Sequence, residues 1–150
     1  MAKGKTVSQC MSRDVRVTSP DETIRDAARV MAEIDAGSLP VGEGDRLVGV
    51  ITDRDITIRA MAEGKGPDTP VREVMSSAVK YCFEDEDIED VTRNMGEIQV
   101  RRLPVVTREK RLVGIVSLGD LARCSGNAEP VGEALESISR TGGQHNQTPA

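Results

Sequence analysis

The strongest constraint on this 150-residue chain is that it repeats itself. Val7 to Val41 slides onto Val71 to Val105 at an offset of 64, and 15 of those 35 positions are identical. Met11/Met75, Asp21/Asp85, Ile24/Ile88, Met31/Met95, Leu39/Leu103 and Pro40/Pro104 are among them. One extra residue enters the second copy before Arg111. The match resumes at an offset of 65, with Arg46-Leu47-Val48-Gly49 on Arg111-Leu112-Val113-Gly114, and runs to Asp55/Asp120. Such a match is a duplicated supersecondary unit, and units this small bury together what neither covers alone.

The two copies constrain each other's local structure. Val15-Arg16-Val17 and Val79-Lys80-Tyr81 read as short strands. Helices are expected to start over Ser19–Glu22 and Glu84–Asp87, where acidic residues favour the helix dipole. Ile24, Ala27, Ala28, Met31 and Ile34 then recur at helical spacing, as do Ile88, Val91, Met95 and Ile98. Leu-Pro-Val follows as a strand with its proline near the start. After polar turns at 42–45 and 107–110, the apolar runs Leu47–Ile51 and Leu112–Val116 read as buried strands. A second helix begins near Asp53 and Leu118. Each copy is therefore β-α-β-β-α. The fold class is α/β in the segregated, α+β sense, with one unit over 7–62, a linker over 63–70, a second unit over 71–124 and a polar tail over 125–150. Val7–Met11 and Val71–Met75 read as extra helical turns, Val131–Ser139 as one amphipathic helix, and the last ten residues as disordered.

Composition narrows function. A net charge of −5, with Tyr81 and Phe83 as the only large aromatics, argues against nucleic-acid binding. No apolar run approaches a membrane span, and the first residues lack a signal-peptide core. Cys10, Cys82 and Cys124 are odd in number and widely spaced, which is read as three free thiols in a reducing, cytoplasmic compartment. No metal set is expected, because the sole histidine, His145, lies in the tail. No nucleophile has a base beside it and no phosphate loop is present, so the chain is not read as an enzyme. The run Glu84–Asp87 is read as a solvated helix start, since it lacks the spacing of a calcium loop.

One motif occurs in both copies. Thr52-Asp53-Arg54-Asp55 and Ser117-Leu118-Gly119-Asp120 each put a hydroxyl at the end of a strand and a carboxylate three residues on. As a capping box, the pair closes the helix start. As a site, the hydroxyl can bond a phosphate and the carboxylate both hydroxyls of a ribose.

The order strand, helix, Leu-Pro-Val, turn, Leu-Val-Gly-Val-Ile-Thr-x-x-Asp, in tandem, resembles a pair of CBS (cystathionine-β-synthase) domains, or Bateman module, over residues 7–124. It is most similar to small stand-alone bacterial CBS-pair proteins. The resemblance implies two units packed through their sheets by pseudo-twofold symmetry, with two sites in the cleft for adenosine-containing ligands: AMP, ADP, ATP, NAD or S-adenosylmethionine. Carried over, the first site uses Thr52 for phosphate, Asp55 for ribose, Ala78 and Val79 against adenine, and Arg101 and Arg102 for the phosphates. The second uses Ser117 and Asp120 with Asp14 and Val15, and its uncharged Gly37 and Ser38 are compensated by Arg54. The paired guanidinia favour a charged phosphate chain at the first site. No cofactor is required; magnesium would enter only with a polyphosphate. The resemblance further implies a homodimer through the helices and signalling to an unknown protein partner. The competing reading is a structural or interaction protein whose clefts are empty remnants.

Overall fold

The computed structural model describes residues 4–126 and 129–139; the expected disorder of the last ten residues lies outside them. The chain is α+β, and it divides into two compact units. One comprises Arg16–Val79 with Lys110–Leu112 and holds the body of the first repeat. The other comprises Met1–Val15, Lys80–Glu109 and Val113–Ala150, and holds the second.

In the first-repeat unit, α1 (Ile24–Ile34) precedes an antiparallel pair, β1 (Ser38–Glu43) and β2 (Arg46–Thr52), in which Ser38 lies opposite Thr52. A helix α2 opens at Asp53–Asp55 and widens into a π-helical stretch over Ile56–Met61. The Thr57 hydroxyl donates to the Asp53 carbonyl there, competing with the backbone ladder. In the second-repeat unit, β3 (Cys82–Phe83), β4 (Arg102–Val106) and β5 (Leu112–Ser117) form a sheet in that order, with β3 parallel to β4. The helices are α3 (Ile88–Glu97), α4 (Leu118–Ser125) and α5 (Glu129–Ile138).

α1 is capped by Thr23, one residue beyond the expected Ser19–Glu22 window, and α3 by Asp87, the last residue of Glu84–Asp87, because capping chemistry selects them. The Thr23 hydroxyl accepts from the Asp26 amide, and the Asp87 carboxylate from the Glu89 amide. The expected strands also move. Neither 15–17 nor 79–81 pairs. Thr18 bridges Val41, and its sequence equivalent Cys82 opens β3. Val17 is 42% exposed while Thr18 is buried, so the Val-x-Val pattern marks the approach to the pairing residue. β2 is only half-buried: Leu47, Gly49 and Ile51 face inward, and Val48 and Val50 are partly covered.

The packing unit and the sequence repeat are offset. The 3₁₀ turn Val7–Gln9 opens the first repeat, yet Val7 is fully buried in the core of the second with Met95, Leu103 and Leu121. The turn Val71–Glu73 opens the second repeat, yet Val71 and Val74 are fully buried in the core of the first with Leu39, Val41 and Ile51. Each leading segment also closes onto a strand. Ser12 and Ile115 exchange both backbone hydrogen bonds at 2.9 Å, as do Ser76 and Val50. The packing units thus group the leading segments with the opposite repeat, and the 63–70 segment is bound at its end, where the Ile24 amide donates to Thr69 and the Val71 amide to Glu22.

Glycine makes this closure possible. A Cβ on Gly114 would meet the Ser12 carbonyl oxygen at 2.6 Å, and one on Gly49 the Ser76 carbonyl oxygen at 2.8 Å. Backbone cannot yield there as a flexible side chain would. Gly132 in α5, by contrast, has open space around it. Gly114→Ala should cost about 1–3 kcal/mol of stability, while Gly132→Ala should add about 0.5–1 kcal/mol. Urea unfolding of the two variants checks both signs.

Candidate functional site

Each repeat ends its last strand in a complete capping box. The Thr52 hydroxyl accepts from the Asp55 amide at 2.9 Å, and the Asp55 Oδ2 accepts from the Thr52 amide at 2.9 Å. In the second repeat, the Ser117 hydroxyl accepts from the Asp120 amide at 3.0 Å and the Asp120 Oδ2 from the Ser117 amide at 3.0 Å. The strand delivers the hydroxyl in extended conformation, and the first helical turn returns the carboxylate. The boxes do not exhaust these groups. Each hydroxyl keeps its proton to donate, and each carboxylate uses only Oδ2 on the box. Asp55 Oδ1 stands 3.9 Å from the Arg59 guanidinium, and Asp120 Oδ1 takes a 2.7 Å bond from Arg123.

Behind each box the leading segment is fastened to the helix, by different chemistry in the two units. Arg59 donates to the carbonyls of Val74 and Met75, both at 3.3 Å. At the equivalent positions of the second-repeat unit, Cys10 stands for Val74 and Cys124 for Arg59, and the two form a disulfide with their Cα atoms 5.6 Å apart. This corrects the expectation of three free thiols. The turn ending at Cys10 and the last turn of α4 meet in space although 114 residues separate them, and spacing along the chain carries no sign of that. The argument for a reducing compartment loses its basis with it. Cys82 alone stays free among the described residues; burial pushes its thiol up to about 12, with Glu86 adding to the shift.

The other site candidates distribute as follows. Thr52, Asp55, Ala78 and Val79 share the first-repeat unit, and Gly37, Ser38 and Arg54 lie there too. Ser117, Asp120, Asp14 and Val15 share the second-repeat unit with Arg101 and Arg102. Within each unit the residues before Leu-Pro abut the start of the box helix: the Asp53 amide donates to Gly37 and the Leu118 amide to Arg101. The bridges Ser76–Val50 and Ser12–Ile115 are antiparallel. The chain after them therefore runs back along the strand, and Ala78, Val79, Asp14 and Val15 are directed away from the hydroxyls of their own unit. Arg101 and Arg102 are exposed, and neither enters an ion pair among the described residues. No three His, Cys, Asp or Glu side chains converge as a metal set among the described residues, and no helix there is long and apolar enough to cross a membrane.

The CBS domain family model matches twice, over residues 7–61 and 71–127. The chain belongs to the CBS domain family. This CBS pair is 42% identical over 134 residues to the CBS domain-containing protein YhcV of Bacillus subtilis, covering 89% of the chain and 95% of that relative. Among solved structures it matches Hypoxic Response Protein I with two coordinated zinc ions, at a TM-score of 0.71 and 40% identity, covering 79% of this chain and 98% of that one. The curated protein of that name is from Mycobacterium tuberculosis. It also matches CBSX2 in complex with AMP, at a TM-score of 0.70 and 27% identity over 80% of this chain and 95% of that one.

Sequence reasoning found both boxes and missed both fasteners. The signal was the alignment itself, which puts Arg59 opposite Cys124 and Val74 opposite Cys10. After oxidation, the native CBS pair should expose no thiol to alkylation and the denatured chain should expose one, Cys82. Mass counting of alkylated species checks this.

Proposed function

We propose that this CBS pair is a non-catalytic sensor of an adenosine-containing ligand of the AMP, ADP, ATP, NAD or S-adenosylmethionine class. The observation that carries the reading is the pair of hydroxyl–carboxylate boxes at helix starts, each with a donor proton and a carboxylate oxygen beyond those the cap consumes. The AMP complex of CBSX2 supports the ligand class. In this reading Thr52 meets phosphate and Asp55 the ribose, with Ala78 and Val79 against the base; Ser117 and Asp120 do the same with Asp14 and Val15. A ligand signals only through unequal affinity for two arrangements of the protein, so the output passes to a partner protein.

The completeness of both boxes as caps favours one competitor, a structural protein in which capping is their whole role. A thermal-shift panel of AMP, ATP, NAD and S-adenosylmethionine decides between them. A ligand at 100 times its Kd stabilises by about 2.7 kcal/mol; no shift with any of them supports the structural role. Asp55→Ala should abolish one binding step while removing only about 1 kcal/mol of stability with the cap. Unchanged affinity in that variant refutes the ribose role.

Arg101 and Arg102 are proposed to meet the phosphates of the ligand held by Thr52 and Asp55. Arg101→Ala with Arg102→Ala should therefore weaken ATP far more than adenosine, and the loss should vanish when Asp55→Ala is already present. Equal losses for ATP and adenosine exclude phosphate contact. A loss that vanishes with Asp120→Ala transfers the arginines to the Ser117 box. Calorimetric titration reads all three results.

The pair is further proposed to self-associate through α1 and α2. Ile24, Ala28, Ala32, Ile56, Ala60 and Met61 line an apolar groove of about 470 Å³, beside which Ile58 is 48% and Met61 74% exposed. On the second-repeat unit the same helical face is covered by α5, with Ala134 against Gly96, the equivalent of Ala32. In this reading Met61 of one copy inserts over Ala28 and Ala32 of the other about a twofold axis, with the groove's Arg25, Arg29 and Lys65 left at the rim of the interface. Met61→Glu should convert a dimeric mass in light scattering to a monomeric one; a monomeric mass for the unaltered chain refutes the interface.

A further inference from the structure

The two repeats fasten the same joint in two ways, and only one of them answers to redox chemistry. In the first-repeat unit the joint is a guanidinium: Arg59 holds the carbonyls of Val74 and Met75. In the second-repeat unit it is the covalent bond from Cys10 to Cys124. The flanking contacts are otherwise alike. Both leading segments make a 3₁₀ turn, bury a valine, and bridge the strand that ends in a capping box. Because the Ser12–Ile115 bridge is antiparallel, Cys10 lies at the Ser117 end of β5. Cys124 sits one helical turn beyond Asp120. The disulfide thus backs directly onto the Ser117–Asp120 box. Upstream of Cys10 the segment meets α4 through the buried Val7, which shares a core with Leu118 and Leu121, and through the Lys5 ammonium, which donates to the Cys124 carbonyl at 2.9 Å at an exposed position.

We propose that the Cys10–Cys124 disulfide is a redox lock on one of the two sites. A dithiol reductant transfers two electrons and two protons to the bond. The S–S bond breaks, Cys10 and Cys124 become thiols, and the dithiol becomes its own disulfide. The closed form gains from a cross-link spanning 114 residues, because closing a long loop removes much entropy from the open chain. Reduction lowers the stability of the whole unit by that amount and leaves residues 4–15 held by the buried Val7 and the backbone bonds of Val7, Ser8 and Ser12. The segment carrying Asp14 and Val15 loosens, the Ser117–Asp120 box loses its backing, and the Arg59 joint leaves the Thr52–Asp55 box as it was. Cys82 takes no part, since it is buried with its thiol pushed up to about 12 and thiol exchange needs a reachable thiolate.

The lock stands or falls by hydrogen exchange. Its coupling to ligand rests on the sensor reading above, and the two are read separately. In the full chain, treatment with a dithiol should speed exchange of the Cys10, Met11, Ser12 and Ile115 amides at least about tenfold, while those of Val74, Met75, Ser76 and Val50 stay unchanged. Arg59→Met should produce the reverse pattern in the oxidised chain. Cys10→Val with Cys124→Arg transplants the guanidinium joint, and its leading segment should become indifferent to dithiol. Equal exchange in both redox states, equal acceleration of both segments, or continued dithiol sensitivity in the transplant would overturn the lock. With AMP as probe, reduction should weaken one binding step and spare the other. Exchange that responds to dithiol while both steps are unchanged removes the ligand coupling and keeps the lock; no AMP binding in either redox state refutes the sensor reading for AMP alone, and exchange still decides the lock.

Discussion

The structure depends on the close passage of each leading segment over a glycine in the strand it closes. Ser12 and Met11 cross Gly114, and Ser76 and Met75 cross Gly49, at distances no side chain at those glycines would permit. The passage lets the backbone bonds between Ser12 and Ile115 and between Ser76 and Val50 form. It also carries Val7 and Val71 into cores built from the other repeat. Each valine contributes about 1.5–3 kcal/mol on burial, and neither core is complete on its own repeat. Duplication therefore produced two sequence units but an exchanged pair of packing units.

The same passage explains why the capping boxes lie where they do. A strand closed on one edge by the leading segment ends in Thr52 or Ser117, and the chain turns at once into a helix whose first amides need acceptors. The hydroxyl and the carboxylate meet that need. A site built on them is built on groups the fold already holds in place, so ligand contacts require no new ordering of those side chains. Capping and binding are compatible roles here, because the cap takes one carboxylate oxygen and the hydroxyl lone pair, leaving Oδ1 and the hydroxyl proton.

Much of this was legible in the sequence. The repeat located α1 and α3, the Leu-Pro-Val strands and both boxes, because identical residues in two contexts report shared structure. The short strands were misplaced since Val15-Arg16-Val17 imitates alternation, whereas Thr18 is the residue that pairs. Helical spacing groups Ala28 and Ile34 with Ile24, Ala27 and Met31, yet both lie open; among the described residues it is the second-repeat unit that brings a helix, α5, to cover that face. The exchange of leading segments left no local trace, since Val7 and Val71 look alike whichever core receives them. The disulfide was hidden for the same reason, its cysteines occupying positions that hold valine and arginine in the other repeat.

The central claim is that the boxes hold an adenosine-containing ligand. Mass spectrometry of small molecules released when the purified chain is denatured tests it without choosing the ligand beforehand. The account predicts an adenosine-containing compound that is absent from preparations carrying Asp55→Ala and Asp120→Ala together. Release of no such compound, or equal release from the doubly substituted chain, would contradict it.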